Sequence, residues 1–440
     1  MNGRTKWRLA GMMALIYGIQ GAFWPLLAVH LRDLGVDGRG RGWIFATLAI
    51  GSVATPLGVG RLVDQLMAAQ HFMALAQMLG CVLLGGIAWG VPGGSLSLFT
   101  WFLAYWLVVA PTMSVGATIA LRNLERPTEE FGQVRLWGTV GWMLVGWLVS
   151  AVMVLTRTTP SGQLGTAEAF WIGVGLSLLL VLYSFTLPHT PPLVGKNLGE
   201  QRGRPKLRDG FEVLAKPGVL VYLITAFGVC MTTPYVYQVL PTHLEAHGLA
   251  RRWIPTVMTL GQIPEITALA VLPWLFRRLR FKWTLALGIG SLIVRFGSLV
   301  VDPPLWVMIA GISLHGISIA CFVVGGQVFI DSRASPDRRA GAQALLTVVT
   351  SGVGVLCGSL LAGETTDWFP GGSPLVFLIP CLVDLALLLG FSLTFQPGEV
   401  PWGHARHDLL RSTGPKPSVR PVHDPLDPPT PTAQARSGPT

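Results

Sequence analysis

The chain has 440 residues, of which 51% are apolar and only 12% charged, with a net charge of +10. An ordinary soluble domain carries about 25% charged residues, so this composition excludes a water-covered globular protein. A charge of +10 in a soluble protein would point to nucleic acid, but here the basic residues gather in short polar breaks between long apolar runs. That arrangement reads as membrane topology.

The first run, about 9–31, follows Arg4, Lys6 and Arg8 as in a signal peptide, yet it is long and many further runs follow, so it reads as a retained span. Eleven more follow at about 42–63, 71–90, 97–121, 134–155, 168–187, 218–243, 253–276, 283–301, 304–329, 341–363 and 373–395. Each approaches the ~20 helical residues that cross a 30 Å hydrocarbon core. Only helices and closed barrels satisfy their backbone in lipid, and the runs are too long for barrel strands. The expected fold is an all-α polytopic membrane protein with twelve transmembrane helices.

The break between the sixth and seventh runs is the longest internal one. It holds Lys196, Arg202, Arg204, Lys206, Arg208 and Lys216, and it divides the spans into two six-helix bundles, 1–187 and 218–395, joined by a linker at 188–217. Lys and Arg concentrate on the side of the N-terminus; the opposite connections carry only Arg32, Arg39, Arg41, Arg157, Arg251 and Arg252. By the positive-inside rule both termini are expected in the cytoplasm. Residues 396–440 are rich in Pro and polar residues and read as a disordered cytoplasmic tail. Cys81, Cys230, Cys321, Cys357 and Cys381 all fall in apolar runs and read as small hydrophobes rather than disulfides or metal ligands. No metal-ligand cluster, nucleophile elbow or phosphate loop stands out, and His404 and His407 lie in the tail, so no cofactor, metal or enzymatic activity is expected.

Two six-helix halves joined by a loop suggest a rocking transporter with its site between them. Ionisable groups within spans are costly and serve as functional hints. Arg135 opens span five, with Thr139 and Trp142 at i+4 and i+7 on the same face. Gln262 and Glu265 share a face of span eight at i, i+3. His315 lies mid-span ten, while Arg295 in span nine and Asp384 in span twelve read as structural or partnered. Together these supply a guanidinium, a hydroxyl, an indole, an amide and a carboxylate, a set able to hold a small polar solute with a flat ring.

Several segments resemble the nucleoside/proton symporter family of the major facilitator superfamily: Arg135-Leu-Trp-Gly-Thr-Val-Gly-Trp142, Thr186-Leu-Pro-His189, Gly261-Gln-Ile-Pro-Glu265, Val294-Arg-Phe-Gly297 and the stretch from Val328 to Gln343. The resemblance runs in order from about residue 10 to 395. Gly60 to Asp64 also looks like a worn form of the superfamily's loop after span two, with Gln65 where a basic residue is usual. The resemblance implies a monomeric twelve-helix rocker in a bacterial inner membrane, carrying nucleosides with protons. It also implies that Arg135, Thr139, Trp142, Gln262 and Glu265 line the solute site, with Trp142 in place of a phenylalanine. Other positions depart from the family. His315 stands for a tyrosine and Ala320 for an aspartate associated with proton coupling. Pro234 and Tyr237 stand near a glutamine and an asparagine, and Ala117 near an asparagine. Tyr237 therefore joins His315 in the expected site, and Glu265 and His315 are the candidates for the coupling proton. The alternative is a transporter of the same fold for another small polar solute, such as a sugar, an aromatic acid or a nucleoside-derived metabolite.

Overall fold

The computed structural model of the chain describes residues 3–156, 164–192, 210–335 and 338–398, without the side chains of 54–66, 128–129 and 164–165. The middle of the expected linker, and the expected tail beyond residue 398 with His404 and His407, lie outside the described residues. All regular secondary structure among the described residues is helical. Residues 1–398 group as one compact unit.

The first six helices are α1 (Gly3–Asp33), α2 (Gly38–Leu66), α3 (Ala69–Ala88), α4 (Ser95–Asn123), α5 (Pro127–Leu155) and α6 (Leu164–Ser184). α5 begins at Pro127 rather than near 134, because a proline in the first helical turn gives up no hydrogen bond and presets the helical φ. Arg135 therefore sits two turns inside the helix and not at its mouth. Span seven is broken into α7 (Val219–Thr232), α8 (Tyr235–Gln238) and α9 (Leu240–Ala246). Pro234 and Pro241 stand at the breaks, where proline removes a backbone donor. Span eight starts with two 3-10 turns, Arg251–Trp253 and Thr259–Gly261, around α10 (Ile254–Met258).

The long α11 (Gln262–Val300) carries the rest of span eight and all of span nine. The two are separated only at Arg280, whose φ of 60° and ψ of 170° turn the chain. Span ten is α12 (Leu305–Ser318), a π-helical stretch Ile319–Val324 and α13 (Gly325–Arg333). Span eleven is α14 (Arg339–Thr347), a second π-helical stretch Val348–Gly354 and α15 (Val355–Trp368). α16 (Leu378–Thr394) is span twelve. Ten described segments are long and apolar enough to cross a membrane, one of them the 50-residue run Arg251–Val300. That run contains two of the expected spans, and α2 supplies the one not among the ten, so each of the twelve expected segments is helical.

Within residues 3–187, α1 packs on α5 and α6, α2 on α4, and α3 on α4 and α6. Phe23 centres this core, edge-on to Tyr105 at 5.8 Å and stacked on Phe170 at 5.4 Å. In the later residues α11 packs on α12 and α16, and α7 on α15 and α16. The two sets meet where α2 lies on α15, α5 on α10, and α1 on α8, α9 and α10. Large apolar side chains point outward on both sets, among them Leu155, Leu182, Leu389 and Leu393, which suits a lipid surround.

Lipid tails give helices no hydrophobic reason to associate, so close approach through small residues does that work. A Cβ on Gly141 of α5 would stand 2.6 Å from the Ala14 Cα of α1. Gly141→Ala is expected to destabilise the detergent-solubilised protein by about 1–3 kcal/mol, the usual penalty of overpacking. Gly390→Ala, with nothing within 4 Å, is expected to leave the thermal unfolding temperature unchanged or slightly raised. Equal melting temperatures for the two variants would remove this account of the α1–α5 contact.

Candidate functional site

The face of α5 that carries Arg135, Thr139 and Trp142 is pressed onto α1. The Arg135 guanidinium lies over the Tyr17 ring of α1 at 3.9 Å, a cation–π placement. Gly21 of α1 backs Trp142 so closely that a Cβ there would be 3.0 Å from the Trp142 Cα. Trp142 meets Tyr237 of the second set edge-on at 6.0 Å, and Tyr237 in turn meets His315 edge-on at 6.4 Å. Three aromatic rings from α5, α8 and α12 thus run across the interface between the two sets.

Gln262 and Glu265 occupy the first turn of α11, just past a 3-10 break, where a helix dipole favours a carboxylate. Their helix and α12 touch backbone to backbone: a Cβ on Gly316 would lie 2.9 Å from the Glu265 Cα, and one on Gly261 would lie 3.6 Å from the His315 Cβ. Gln262 and Glu265 both lie near the Tyr237 hydroxyl. Arg135 acts electrostatically on Glu265 from the other side of the interface. α5 is held against the start of span eight by Trp147 Nε1 donating to Thr259 Oγ1 at 3.0 Å and Thr256 N–H donating to Ser150 Oγ at 3.2 Å.

The structure thus brings Arg135, Trp142, Tyr237, Gln262, Glu265 and His315 to one locus. Thr139 is half-buried on the same face of α5, with no side-chain hydrogen bond to the second set among the described residues. Trp142 Nε1, Gln262 Oε1 and His315 Nδ1 are buried with no protein partner. Each such atom costs about 1–3 kcal/mol if left unpaired.

Two residues escaped the sequence reading. Tyr17 gave no signal there, being one aromatic in an apolar run. Arg295 had read as structural or partnered. It is 1% exposed, its Nε, Nη1 and Nη2 have no hydrogen-bond partner, and its guanidinium lies 5.8 Å from the centre of the Phe296 ring. Asp384 does have a partner, accepting from Thr232 Oγ1 at 3.1 Å. Ala320, fully buried in the π-helical stretch, brings no carboxylate to span ten.

The sequence profile described as Nucleoside H+ symporter matches residues 3–399. The chain belongs to the nucleoside/H+ symporter family. Its relatives include "Putative nucleoside transporter YegT" of Escherichia coli K12, 28% identical over 371 residues that cover 82% of this chain and 84% of the relative. Nucleoside permease NupG of the same organism is 23% identical, with 76% and 81% covered. The crystal structure of nucleoside transporter NupG superposes with a TM-score of 0.77 at 22% identity, covering 90% of this chain and 100% of that one. The fold is that of the major facilitator transporters, and the family is one of transporters rather than enzymes.

In this symporter-family protein the face opposite the N-terminus, the far face, is clamped shut by charges that cross between the two sets. Arg32 and Asp33 at the end of α1 form a closed square with Glu245 of α9 and Arg251. Arg32 Nη2 lies 2.9 Å from Asp33 Oδ1 and 2.6 Å from Glu245 Oε2. Arg251 lies 2.7 Å from Asp33 Oδ2 and 2.7 Å from Glu245 Oε1. Nearby, Asp367 of α15 accepts from the Gly38 and Arg39 N–H groups at 2.7 and 3.0 Å, capping α2 from the other set. Arg39 Nε also pairs with Glu364 at 2.8 Å. A cavity of about 430 Å³ lies beside this clamp, lined among others by Arg32, Arg41, Thr242, His243 and Asp367.

Partly exposed pairs contribute about 0.2–1 kcal/mol each, so no single pair holds this face strongly. Glu245→Gln leaves two arginines facing one acid. It is expected to speed labelling of a cysteine at Thr242 by a membrane-impermeant maleimide about fivefold, the factor that ~1 kcal/mol gives. An unchanged labelling rate would show that the square does not hold this face.

Proposed function

We propose that the protein takes up nucleosides together with protons by alternating access across a bacterial inner membrane. Residues 1–187 and 218–395 act as two rocking bundles. The N-terminus, the 188–217 linker and the 396–440 tail lie on the cytoplasmic side, and the working unit is a monomer. The carrying observation is the convergence of Arg135 and Trp142 from one bundle with Tyr237, Gln262, Glu265 and His315 from the other. A solute bound there touches both bundles, so its arrival and departure bias their relative position.

Each group has a task suited to a nucleoside. Trp142 and Tyr237 offer aromatic surface to the base. Gln262, with a donor and an acceptor on one amide, reads a base edge. Glu265 accepts from ribose hydroxyls, and Arg135 holds that carboxylate's charge from the facing helix while Tyr17 fixes the guanidinium. Thr139 adds a hydroxyl on the same face. With Ala320 where the family resemblance implies an aspartate, the coupling proton falls to Glu265 or His315, the two titratable groups that meet at the α11–α12 contact.

The family match and the nucleoside-transporting relatives support this reading. Cells or proteoliposomes containing the protein are expected to accumulate labelled uridine or adenosine, faster under an inward proton gradient. Arg135→Ala and Glu265→Gln are each expected to cut initial uptake at least tenfold, since bonds to charged groups contribute about 1.5–3 kcal/mol. Full transport in either variant would remove these residues from the site. An acidic solute is the second reading, favoured by the Arg295 guanidinium, which is buried without a hydrogen-bond partner. Competition by anionic analogues, with neutral nucleosides inert, would select it.

A further inference from the structure

At the far-face end of α9, away from the solute site, His243 and His247 stand one helical turn apart with ring centroids 4.1 Å from each other. Both imidazoles are anchored through Nδ1, and a carbonyl can only accept. His243 Nδ1–H donates to the Gly372 carbonyl at 3.0 Å, and His247 Nδ1–H donates to the His243 carbonyl at 2.8 Å. With Nδ1 protonated, a neutral imidazole presents a bare lone pair on Nε2. This is how metal-binding histidines are usually oriented by their surroundings.

The His243 Nε2 lone pair is buried with no partner, on a residue only 1% exposed. The His247 Nε2 lies 2.7 Å from Asp302 Oδ1, on the turn after α11. Two acceptor atoms stay that close only with a cation between them, either a proton or a metal. All three donor atoms lie within 4.8 Å of one another.

We propose that His243 Nε2, His247 Nε2 and an Asp302 carboxylate oxygen form a site for one divalent transition-metal ion of the zinc class, with water as the fourth ligand. Two imidazoles and one carboxylate suit zinc, whereas calcium and magnesium ask for all-oxygen shells. Donors around a tetrahedral zinc sit about 3.3 Å apart. His247 and Asp302, whose side chains are 25% and 49% exposed, have the freedom to close that gap onto the fixed His243. Coordination displaces the proton shared by His247 and Asp302 into solvent. The ion ties the end of α9 to the turn after span nine. Glu245, between the two histidines, is the acid that holds Arg32 and Arg251, so an occupied site stiffens the helix on which the far-face clamp depends.

The test is calorimetric titration of tag-free, full-length protein in detergent with zinc chloride, in two buffers of different ionisation enthalpy. One zinc per chain is expected, with proton release and a raised thermal unfolding temperature, and no competition from magnesium. His247→Gln and Asp302→Asn are each expected to weaken binding by more than about tenfold. Asp302→Asn retains a residue that adopts the positive φ of 52° found there; its zinc-free unfolding temperature should match that of the unaltered chain. Replacing the tail residues His404, His407 and His423 by Ala is expected to leave binding intact. Absence of saturable zinc binding, binding that survives both His247→Gln and Asp302→Asn, or binding lost with the tail histidines would overturn the proposal.

Discussion

A polar atom inside a hydrocarbon layer has no water to turn to, and that scarcity organises this protein. Helices answer it for the backbone. For side chains the chain uses polar residues sparingly and sets them between helices. Thr232 bonds Asp384, Gln238 bonds the Ser359 carbonyl, and Thr259 receives Trp147. Between the two sets of helices Trp142, Gln262 and His315 keep polar atoms that no protein group satisfies, as Gln77, Tyr105 and Trp106 do inside the first set. Such atoms are costly, and at the proposed site a solute would offer Trp142, Gln262 and His315 the partners they lack.

The same scarcity explains why the helices are broken where they are. Span seven is interrupted at Pro234 and Pro241, span eight opens through 3-10 turns before Gln262, and span ten passes into a π-helical stretch just after His315. Irregular backbone at membrane depth is tolerated where it is buried in protein or lines a cavity. Each of these three lies on a span that carries a residue of the site, whereas the π-helical stretch Val348–Gly354 of span eleven packs on Phe227 and Cys230 of α7. On the far face the logic is different. The charges of Arg32, Asp33, Glu245, Arg251, Arg39, Glu364 and Asp367 are partly hydrated, so their pairs are individually weak and form a closure that is reversible.

Much of this was legible in the chain itself. Bilayer thickness imposes a length on each apolar run, so the spans could be read directly. The exceptions were local: Pro127 starts α5 earlier than its apolar run does, and α11 continues through the basic break up to Arg280. Periodicity placed Arg135 with Trp142, and Gln262 with Glu265, because each pair shares one helix. His315 stood out as an ionisable group in the middle of its span, whereas Tyr237 came from the family resemblance. Tyr17, Arg295 and the His243–His247–Asp302 group were hidden for a common reason. Their significance lies in partners, or in the lack of them, on helices distant in sequence, and no local pattern encodes that.

The central claim is that a solute at the bundle interface moves the two bundles in opposite senses at the two faces. Pulsed electron–electron spin resonance tests it most directly, with one label pair at Leu121 and Ser335 on the N-terminal face and another at Leu34 and Val301 on the far face. In proteoliposomes given saturating nucleoside and a proton gradient, the first distance should shorten while the second lengthens. Two distances that stay fixed, or that change in the same direction, would contradict the account.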